Sequence, residues 1–264
     1  MVHANTFERY QEIRRFEMKP RKQILSLIRM GNAKASVRDH AKRPLFKQRK
    51  REELLIRWQD LEKQRSTNVK ELVKAFKTEF ELLSGKVYVA RTNREARQFL
   101  SLIIKQAGIK RIIKWNSHLL RRLEIDRVLD SLGIQNMLLG KKDSPNQQDR
   151  KDYIGPEATA ELGISGVDYG LADTGTLVLR TSRTQYRATS LLPPVHVALM
   201  ESNRILPGSE DLILKLMLEL EGKAELDSCL TLITGPSITA DIELNLVSGI
   251  HGPKELHVII LESD

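Results

Sequence analysis

From Lys86 onward, short apolar runs alternate with longer amphipathic stretches, and this alternation constrains the fold more than any other feature of the chain. The runs are rich in β-branched or apolar residues, and each helical stretch is closed by a glycine, Gly108 or Gly133. The predicted elements of this part are strands at 86–90, 109–115 and 134–140 and helices at Asn93–Gln106 and Ser117–Ser131. Strand–helix–strand order at this spacing is typical of a parallel sheet with right-handed crossovers. The sequence therefore predicts an α/β fold with a mainly parallel sheet flanked by helices.

After a polar stretch at 140–153 the pattern changes. The remaining predicted elements are two strand halves over 166–181 that bend at Thr174-Gly175, a strand within 190–200, a helix over Pro207–Glu221, a strand over Cys229–Thr234, a helix over Ile238–Val247 and a closing strand over Leu256–Leu261. The first of these pairs has the pattern of a hairpin.

The basic charge of the protein is concentrated in its N-terminal third. Residues 1–84 hold 21 Lys and Arg against 11 Asp and Glu, whereas residues 85–264 hold 22 against 23. Apolar residues recur at helical spacing in 21–30, 47–65 and Ser66–Leu83, so we predict a basic helical N-terminal region over 1–84 and an α/β domain over 85–264. The basic region could dock on an acidic partner or bind nucleic acid.

The chain has one cysteine, Cys229. A single cysteine fits a reducing compartment. It also excludes an iron–sulfur cluster held by this chain alone, because such clusters typically need four thiolates. The sequence has no uninterrupted apolar segment long enough to span a membrane and no signal-peptide core near Met1, so we expect a cytoplasmic protein.

The segment Asp173–Thr176 reads DTGT and offers a carboxylate, two hydroxyls and a flexible glycine. Backbone N–H groups of such a turn can bind an anion, and Asp173 could act as an acid, a base or a hydrogen-bond anchor. The same residues also suit a hairpin turn whose side chains bond their own backbone. Spacing alone leaves both interpretations open.

A second glycine-bearing turn, TGPS at 234–237, follows a predicted strand and precedes the predicted helix over Ile238–Val247. A helix N-terminus with Ser237 as its cap would form an anion seat at the carboxyl end of a strand. The segment matches neither common phosphate-loop consensus. A plain helix cap, with Asp241 complementing the helix dipole, explains much of the same pattern.

The third turn lies within GIHGPKELH at 249–257, where His251 stands between glycines. His251 and His196 are the candidate proton carriers, although a lone histidine on a strand is commonly a core residue. The run RTSRTQYRAT at 180–189 brings Arg183 and Arg187 close to DTGT in sequence, and arginine favours carboxylate or phosphate groups. No motif for a metal site or a GxSxG hydrolase occurs.

Three long strings, GISGVDYGLADTGTLVL, SLLPPVHVALM and ITGPSITADIELNLVSGIHGPKELHVIILES, resemble the lactate-utilisation protein C family, also called the LUD-domain family. The resemblance is specific over 163–263 and weaker toward the start of the chain. It implies the fold of the NagB, RpiA and CoA-transferase superfamily. It also implies lactate oxidation to pyruvate beside two partner proteins, at least one of which carries iron–sulfur clusters.

Matched position by position, the family-like residues include Asp173, His196 and His251, which are our candidate catalytic residues. The family-like positions that we take as candidate ligand contacts are Thr174, Gly175, Thr176, Gly235, Pro236, Ser237, Thr239 and Asp241. Two departures affect the substrate: the family usually has Glu at the position of Asp173, and the arginine-rich segment 180–189 replaces a short acidic-polar turn.

Three hypotheses follow. The first is a non-redox subunit of a lactate-oxidising complex. It would bind a small 2-hydroxy acid, its oxo product or a nucleotide-like group where the three turns meet, with Arg183 or Arg187 on a carboxylate. No cofactor is expected on this chain, and the clusters would belong to its partners. The second is a separate isomerase or acyl-CoA transferase with Asp173 as nucleophile or base. The third is a nucleic-acid-binding arm on 1–84, for which the region has few aromatic residues.

Overall fold

The computed structural model describes residues 48–137, 159–182, 184–220, 229–240 and 246–263. The helices are α1 (Gln48–Thr67), α2 (Val69–Leu82), α3 (Asn93–Gln106), α4 (His118–Arg122), α5 (Ile125–Ser131), α6 (Ala188–Leu191) and α7 (Ser209–Leu220). The strands are β1 (Lys86–Ala90), β2 (Arg111–Lys114), β3 (Gln135–Met137), β4 (Leu162–Gly166), β5 (Tyr169–Leu171), β6 (Thr176–Thr181), β7 (Val195–Glu201), β8 (Ile205–Leu206), β9 (Cys229–Ile233), β10 (Ile238–Ala240), β11 (Leu246–Ser248) and β12 (Glu255–Leu261). Apart from the first turn of α1, these elements belong to the larger of two contact-defined units, Glu52–Asp264.

A six-stranded sheet in the order β1-β12-β7-β4-β2-β3 forms the centre of this unit. Every neighbouring pair in it is parallel. All residues of β4 are buried, and so are those of β7 and β12 except at one end of each strand. Strands buried on both faces are typical of a parallel sheet covered by helices, so the predicted α/β class is confirmed.

Two smaller sheets complete the described structure. One has the order β8-β5-β6-β9, in which β5–β6 and β6–β9 are antiparallel, and the other is the pair β10-β11. The antiparallel pairing of β5 with β6 confirms the hairpin predicted over 166–181. Gly175 has φ +62° in its turn, a conformation that favours glycine.

Local sequence explains the boundaries of α3, which agree with the prediction. The side chain of Thr92 accepts a hydrogen bond from the Glu95 N–H at 3.1 Å, and the Glu95 carboxylate accepts from the Arg91 N–H at 2.8 Å. This exchange is a variant of the capping box. The helix ends before Gly108, which has φ +63° and lets the chain turn into β2.

The helix predicted over Ser117–Ser131 is two helices instead, α4 and α5. The break falls at Glu124, which takes a left-handed conformation with φ 51°. The Glu124 carboxylate pairs with Arg97 at 2.9 Å and also contacts Arg127. One partner, Arg97, lies on α3, and the other, Arg127, lies one turn further along the chain. The spacing of apolar residues does not indicate such ion pairs.

The helices predicted at 47–65 and Ser66–Leu83 correspond to α1 and α2, while the rest of the N-terminal region lies outside the described residues. On α2, Phe76 and Phe80 are four residues apart and fully buried, with ring centroids 5.5 Å apart. Both belong to the main core, beside residues of β7 and β12. The division of the chain at residue 84 stays a prediction.

The helix predicted over Ile238–Val247 is wrong, since the described ends of this segment, β10 and β11, pair as antiparallel strands. The sequence ITADIELNL alternates apolar and polar residues with a period of two, which is the pattern of a strand. We predicted the helix from Ser237 as an N-cap and from the acidic residues that follow it. The alternation with a period of two is the stronger signal here.

We predict that Phe76→Ala lowers the free energy of unfolding by about 3–5 kcal/mol, because a fully buried aromatic ring leaves a cavity. Leu82→Ala on the same helix should change it by less than about 0.5 kcal/mol, since Leu82 is 72% exposed. Urea denaturation followed by circular dichroism measures both. Equal effects of the two substitutions would show that α2 is not part of the folded core.

Candidate functional site

Threonine hydroxyls join two of the three glycine-bearing turns. Oγ1 of Thr174 donates to Oδ1 of Asp173 at 3.1 Å and lies 2.8 Å from Oγ1 of Thr176. Oγ1 of Thr176 lies 2.8 Å from Oγ1 of Thr234. Each hydroxyl has one proton, so Thr176 donates to Thr174 and Thr234 donates to Thr176. This hydroxyl chain connects the β5–β6 turn to the end of β9.

Ser237 joins the second turn to the third. Its N–H donates to the carbonyl of Pro253 at 2.9 Å, and its carbonyl accepts from the Gly249 N–H at 2.9 Å. Its side-chain oxygen accepts from the His251 N–H at 3.4 Å. The structure therefore brings the three turns together in one continuous set of contacts. We call residues 173–176, 234–237 and 251–253 the three-turn cluster.

The three-turn cluster reaches the parallel sheet at the amino-terminal ends of its strands. The N–H groups of Lys254 and Glu255 donate to the carbonyl of Pro194 at 2.8 and 3.1 Å, immediately before β12 and β7 begin. Ligands of parallel α/β sheets gather at the opposite, carboxyl ends. Our placement of TGPS after a strand of that sheet is wrong, because β9 pairs antiparallel with β6 in the four-stranded sheet.

The anion seat predicted at TGPS required a helix after the turn, and this part of the prediction is wrong because the strand β10 follows instead. The open N–H groups and dipole of a helix N-terminus are therefore not present there. The side-chain oxygen of Ser237 accepts a hydrogen bond from the backbone N–H of His251 in the third turn and does not cap a helix. Thr239 lies on β10, and its side chain, like all of Asp241 and Arg183, is outside the described residues.

The cluster presents some of its polar side chains to solvent. Asp173, Thr174 and His251 are exposed, Thr176 is buried, and Gly235, Pro236 and Ser237 are half-buried. Arg187 is exposed at the start of α6 and makes no side-chain hydrogen bond or ion pair within the described ranges. Its neighbour Tyr186 accepts through its carbonyl from the Trp115 indole N–H at 2.9 Å, and Trp115 follows β2 at the carboxyl end of the sheet.

Two glycines of the cluster pack directly on the end of α2. A Cβ placed on Gly175 would lie 2.5 Å from the Phe80 nitrogen and 2.8 Å from its Cα, and one on Gly235 would lie 3.1 Å from Leu83 Cβ. Gly235 also has a positive φ, +95°. A side chain at Gly175 would therefore collide with helix backbone, which cannot move as a flexible side chain could. The turns need glycine here for packing, whatever they bind.

His196 lies in the interior and not at a reactive surface. It is fully buried on β7, and its Nε2 lies 2.8 Å from Oγ of Ser165 on β4. Burial, and to a smaller extent the charge of His257, lower the pKa of His196 to about 3. A substrate in solvent cannot reach it, and it stays neutral near pH 7. The predicted role of His196 as a direct proton carrier is corrected to that of a core histidine.

His257 is also structural. It is 4% exposed, with Nε2 3.3 Å from the Glu255 carboxylate and Nδ1 3.4 Å from the Tyr88 hydroxyl. Burial and the neighbouring Lys86 lower the pKa of His257. Lys86 also pairs with Glu255 at 2.9 Å, so these side chains tie β1 to β12.

The carboxyl ends of the parallel strands form a crevice that our sequence analysis missed. One cavity there, of about 200 Å³, is lined by residues at or just after the ends of β2, β4 and β7, among them Trp115, Asp168 and Glu201. A second cavity, of about 400 Å³, shares Arg122 and Glu201 with it. We call these two cavities the carboxyl-edge crevice. Because its residues come from six separate segments, only the strand order brings them together.

Among the described residues, no group of three or more His, Cys, Asp or Glu side chains is placed to bind a metal ion. Cys229 is a free, half-buried thiol at the start of β9, 3.8 Å from the Thr231 hydroxyl. In the part of the chain that the structure describes, no helix is long and apolar enough to span a bilayer.

We predict that Gly175→Ala lowers the free energy of unfolding by more than about 2 kcal/mol, since it combines a positive φ with a backbone collision. Gly133→Ala is the matched control, because Gly133 has φ +65° but nothing within 4 Å of its Cβ position. The control should lose only about 1 kcal/mol. Thermal and urea denaturation compare the two. Similar losses for both would contradict the close packing of the cluster on α2.

We predict that the free energy of unfolding falls as the pH drops below 6.5, because His196 is protonated in the unfolded chain but stays neutral in the folded protein. The pKa of His196 lies near 3 in the folded state and the usual pKa of histidine is 6.5, so this contribution is present above pH 6.5 and decreases toward pH 3. Between pH 6.5 and 5 the loss is about 2 kcal/mol. Urea denaturation at several pH values measures it, and His196→Gln should flatten the slope. An unchanged slope in the variant would contradict the neutral, buried state.

Comparison with known proteins agrees with the fold. A crystal structure of a DUF162 family protein from Deinococcus radiodurans superimposes with a TM-score of 0.50 and 17% identity, covering 73% of this chain and 98% of that one. This likeness concerns the fold alone.

Sequence relatives extend the comparison. "Lactate utilization protein C" of Halalkalibacterium halodurans is 29% identical over 166 residues, 62% of this chain and 68% of the relative. "Uncharacterized protein YkgG" of Escherichia coli is 33% identical over 139 residues, 52% of this chain and 60% of the relative. The sequence model described as LUD domain matches residues 73–261, most of the chain. The chain therefore belongs to the LUD domain family.

Proposed function

We propose that this chain is a non-redox subunit of a cytoplasmic iron–sulfur complex that oxidises L-lactate to pyruvate. The observation that carries the proposal is the LUD domain match over residues 73–261, together with relatives named Lactate utilization protein C. These names support a role in lactate utilisation. The complex and its iron–sulfur partners are our extension of it.

The thiol content of the chain supports the division of labour. Oxidation of a 2-hydroxy acid releases two electrons, and an iron–sulfur cluster that accepts them typically needs four thiolates. The chain has one cysteine, Cys229. In this proposal the electrons leave through clusters on partner subunits, and this chain binds and orients the acid or its oxo product.

The basic N-terminal region supports docking on a partner. Residues 1–84 carry 21 Lys and Arg against 11 Asp and Glu. On α1 the side chain of Arg57 is 64% exposed and only 3.6 Å from an 85% exposed Glu210, a pair that solvent screens strongly. A segment with this excess of positive charge favours an acidic protein partner through complementary electrostatics.

The sequence assigned the acid to the three-turn cluster. Contact among the turns and exposure of Asp173, Thr174 and His251 support that seat. The carboxyl-edge crevice is the competing seat, and it lies at the other end of the same strands. A subunit role does not depend on which of the two binds the acid.

Reconstitution tests the proposed function. The chain and candidate cysteine-rich partner proteins are purified without oxygen, and lactate-dependent reduction of a dye is measured with and without the chain. We expect oxidation to fall at least about tenfold without it, because an acid that is not oriented by binding reacts slowly. Iron and sulfide should co-purify with the partners and not with the isolated chain.

Heat-unfolded chain serves as the control for added protein. Equal lactate oxidation in its presence and in the presence of folded chain would contradict the subunit role. Stoichiometric iron and sulfide in the isolated chain would contradict the division of labour.

A further inference from the structure

The basic side chains of the α/β domain are concentrated in one part of it. Residues 91–131, which run from α3 to α5, hold ten Lys and Arg against four Asp and Glu. The other residues of 85–264 hold twelve Lys and Arg against nineteen Asp and Glu. A domain without an overall excess of positive charge therefore contains a strongly basic segment, and a surface of this kind attracts an acidic partner.

A groove between α3 and α5 is lined by part of this charge, and we call it the α3–α5 groove. Its volume is about 580 Å³. Its lining includes four cationic side chains, Arg94, Arg97 and Lys105 on α3 and Arg127 on α5, against one carboxylate, Glu124. Arg94 and Lys105 are close to three full helical turns apart, so they lie along one face of α3.

The carboxylate in the lining does not balance these cations. Glu124 pairs with Arg97 at 2.9 Å and also contacts Arg127, so two guanidinium groups share one negative charge. Arg94 and Lys105 are exposed, and neither side chain makes a hydrogen bond or an ion pair within the described ranges. The lining therefore carries more positive than negative charge, and two of its cations are available to a ligand.

The acidic residues near the groove do not remove this excess. Residues 91–131 contain three further acids, Glu95, Asp126 and Asp130, and none of them lines the groove. Counted at full charge, all four acids leave the segment with an excess of six positive charges. Among the described residues, two carboxylates from other segments pair with it outside the groove, and an excess of four remains.

The stability of α3 does not explain the position of Arg94. Arg94 lies in the first turn of the helix, where the positive end of the helix dipole repels a cation. Lys105 lies in the last turn, where the dipole stabilises a cation. A carboxylate bound in the groove would offset the repulsion at Arg94.

The other lining residues indicate which ligand fits. The hydroxyls of Ser101 and Ser131 donate to carbonyls of their own helices at 2.8 Å each. The donors that remain for a ligand are the four cations and the side-chain amide of Gln98. Leu102 is 44% exposed in the same groove and offers an apolar contact. The groove therefore suits a ligand with several carboxylates and an apolar group.

The shape of the groove favours a peptide. Arg94 and Lys105 lie about 16 Å apart along the axis of α3, a distance that about five residues of extended chain span. Sites for small ligands enclose most of the ligand surface, whereas this groove is open on the helix surface. Single-stranded nucleic acids stack their bases on aromatic rings, and no aromatic side chain is among the described residues that line the groove.

We propose that the α3–α5 groove is a docking surface for an acidic segment of a partner protein. Carboxylates of that segment bind Arg94, Lys105 and Arg127, and an apolar side chain contacts Leu102. This inference rests on the proposed function for the existence of a partner subunit. It assigns a partner contact to the α/β domain, in addition to the basic N-terminal region.

Titration of the isolated full-length chain with an acidic peptide tests the inference. The probe is a peptide of about eight residues, glutamates around one leucine, which is long enough to span the groove. An environment-sensitive dye is attached to the cysteine introduced by Ser131→Cys, at the exposed edge of the groove. Cys229, the one native cysteine, is replaced by serine. The dye reports on the groove itself, so peptide bound to other basic parts of the chain is not scored.

Charge reversal should weaken this binding. We expect Arg94→Glu and Lys105→Glu each to weaken peptide binding by about threefold or more, and the double variant by about tenfold or more, because each reversal turns an attraction into a repulsion. Arg94→Lys keeps the charge and should bind the peptide nearly as the unmodified chain does. Added salt should weaken binding to the unmodified chain, since exposed charges are screened.

Lys254→Glu is the control for the change in net charge. Lys254 is exposed, directly precedes β12 and does not line the groove. This variant should bind the peptide as the unmodified chain does. A peptide with glutamine in place of each glutamate should not bind, and circular dichroism melts confirm that each variant is folded.

Three results of the titration would overturn the inference. One is no change of the dye signal on addition of the acidic peptide. Another is equal binding by the unmodified chain and the folded double variant, or equal binding of the glutamine peptide. The third is tighter binding of a short single-stranded RNA at the dye, which would make the groove a nucleic-acid surface.

Reconstitution with partner proteins separates this inference from the proposed function. Partners should co-purify with the Lys254→Glu variant and be lost from the Arg94→Glu, Lys105→Glu double variant, and unchanged assembly of the double variant would also overturn the inference. If lactate oxidation does not need this chain at all, the proposed function fails, and the peptide titration still decides whether the groove binds an acidic segment.

Discussion

The insertion of β12 between β1 and β7 is the constraint on which the rest of the structure depends. β1 stands at the edge of the parallel sheet and pairs only with β12 among the described strands. Leu256–Leu261 are all buried, and from His257 onward their backbone pairs with both neighbours. Because β12 begins where β7 begins, it also fixes the third turn against Pro194. The closing strand therefore sets both the core and the position of the three-turn cluster.

The parallel strands separate two polar regions that the sequence treated as one. β7 begins beside the three-turn cluster and ends at Glu201 in the carboxyl-edge crevice. A seven-residue strand spans about 20 Å. A three-carbon acid cannot touch both ends. His196, between them, is sealed in the core, so the strand offers no proton relay through its own side chains.

Local pattern was enough to predict much of the fold. Alternating strand and helix signals, the Thr92 cap and the glycines after helices depend on neighbours within a few residues, so β1, α3 and the hairpin could be placed. Ile238–Val247 was misassigned because we gave a cap and acidic residues more weight than the period of two. The break falls at Glu124, whose carboxylate pairs with Arg97, 27 residues away, and we found no local signal for it in the sequence.

The candidate site was less accessible from sequence for the same reason. Contacts among the three turns join residues up to 58 positions apart, yet their composition pointed to them. Arg122 and Glu201 carry no motif, and they meet only because β2, β4 and β7 are neighbours in the sheet. Strand order follows from the whole chain and not from any window of it. A sequence pattern can therefore nominate glycine turns, whereas a crevice between strands requires the topology.

The direction of the hydrogen bonds in the hydroxyl chain decides whether the exposed threonines can donate to a ligand or accept from it. Thr174 donates its only hydroxyl proton to the Asp173 carboxylate, and Thr234 donates its hydroxyl proton to Thr176. Both are exposed, and both have only lone pairs left. An N–H or O–H group of a ligand can therefore donate a hydrogen bond to these oxygens. In this arrangement, the exposed hydroxyl groups of Thr174 and Thr234 act as hydrogen-bond acceptors and not as donors.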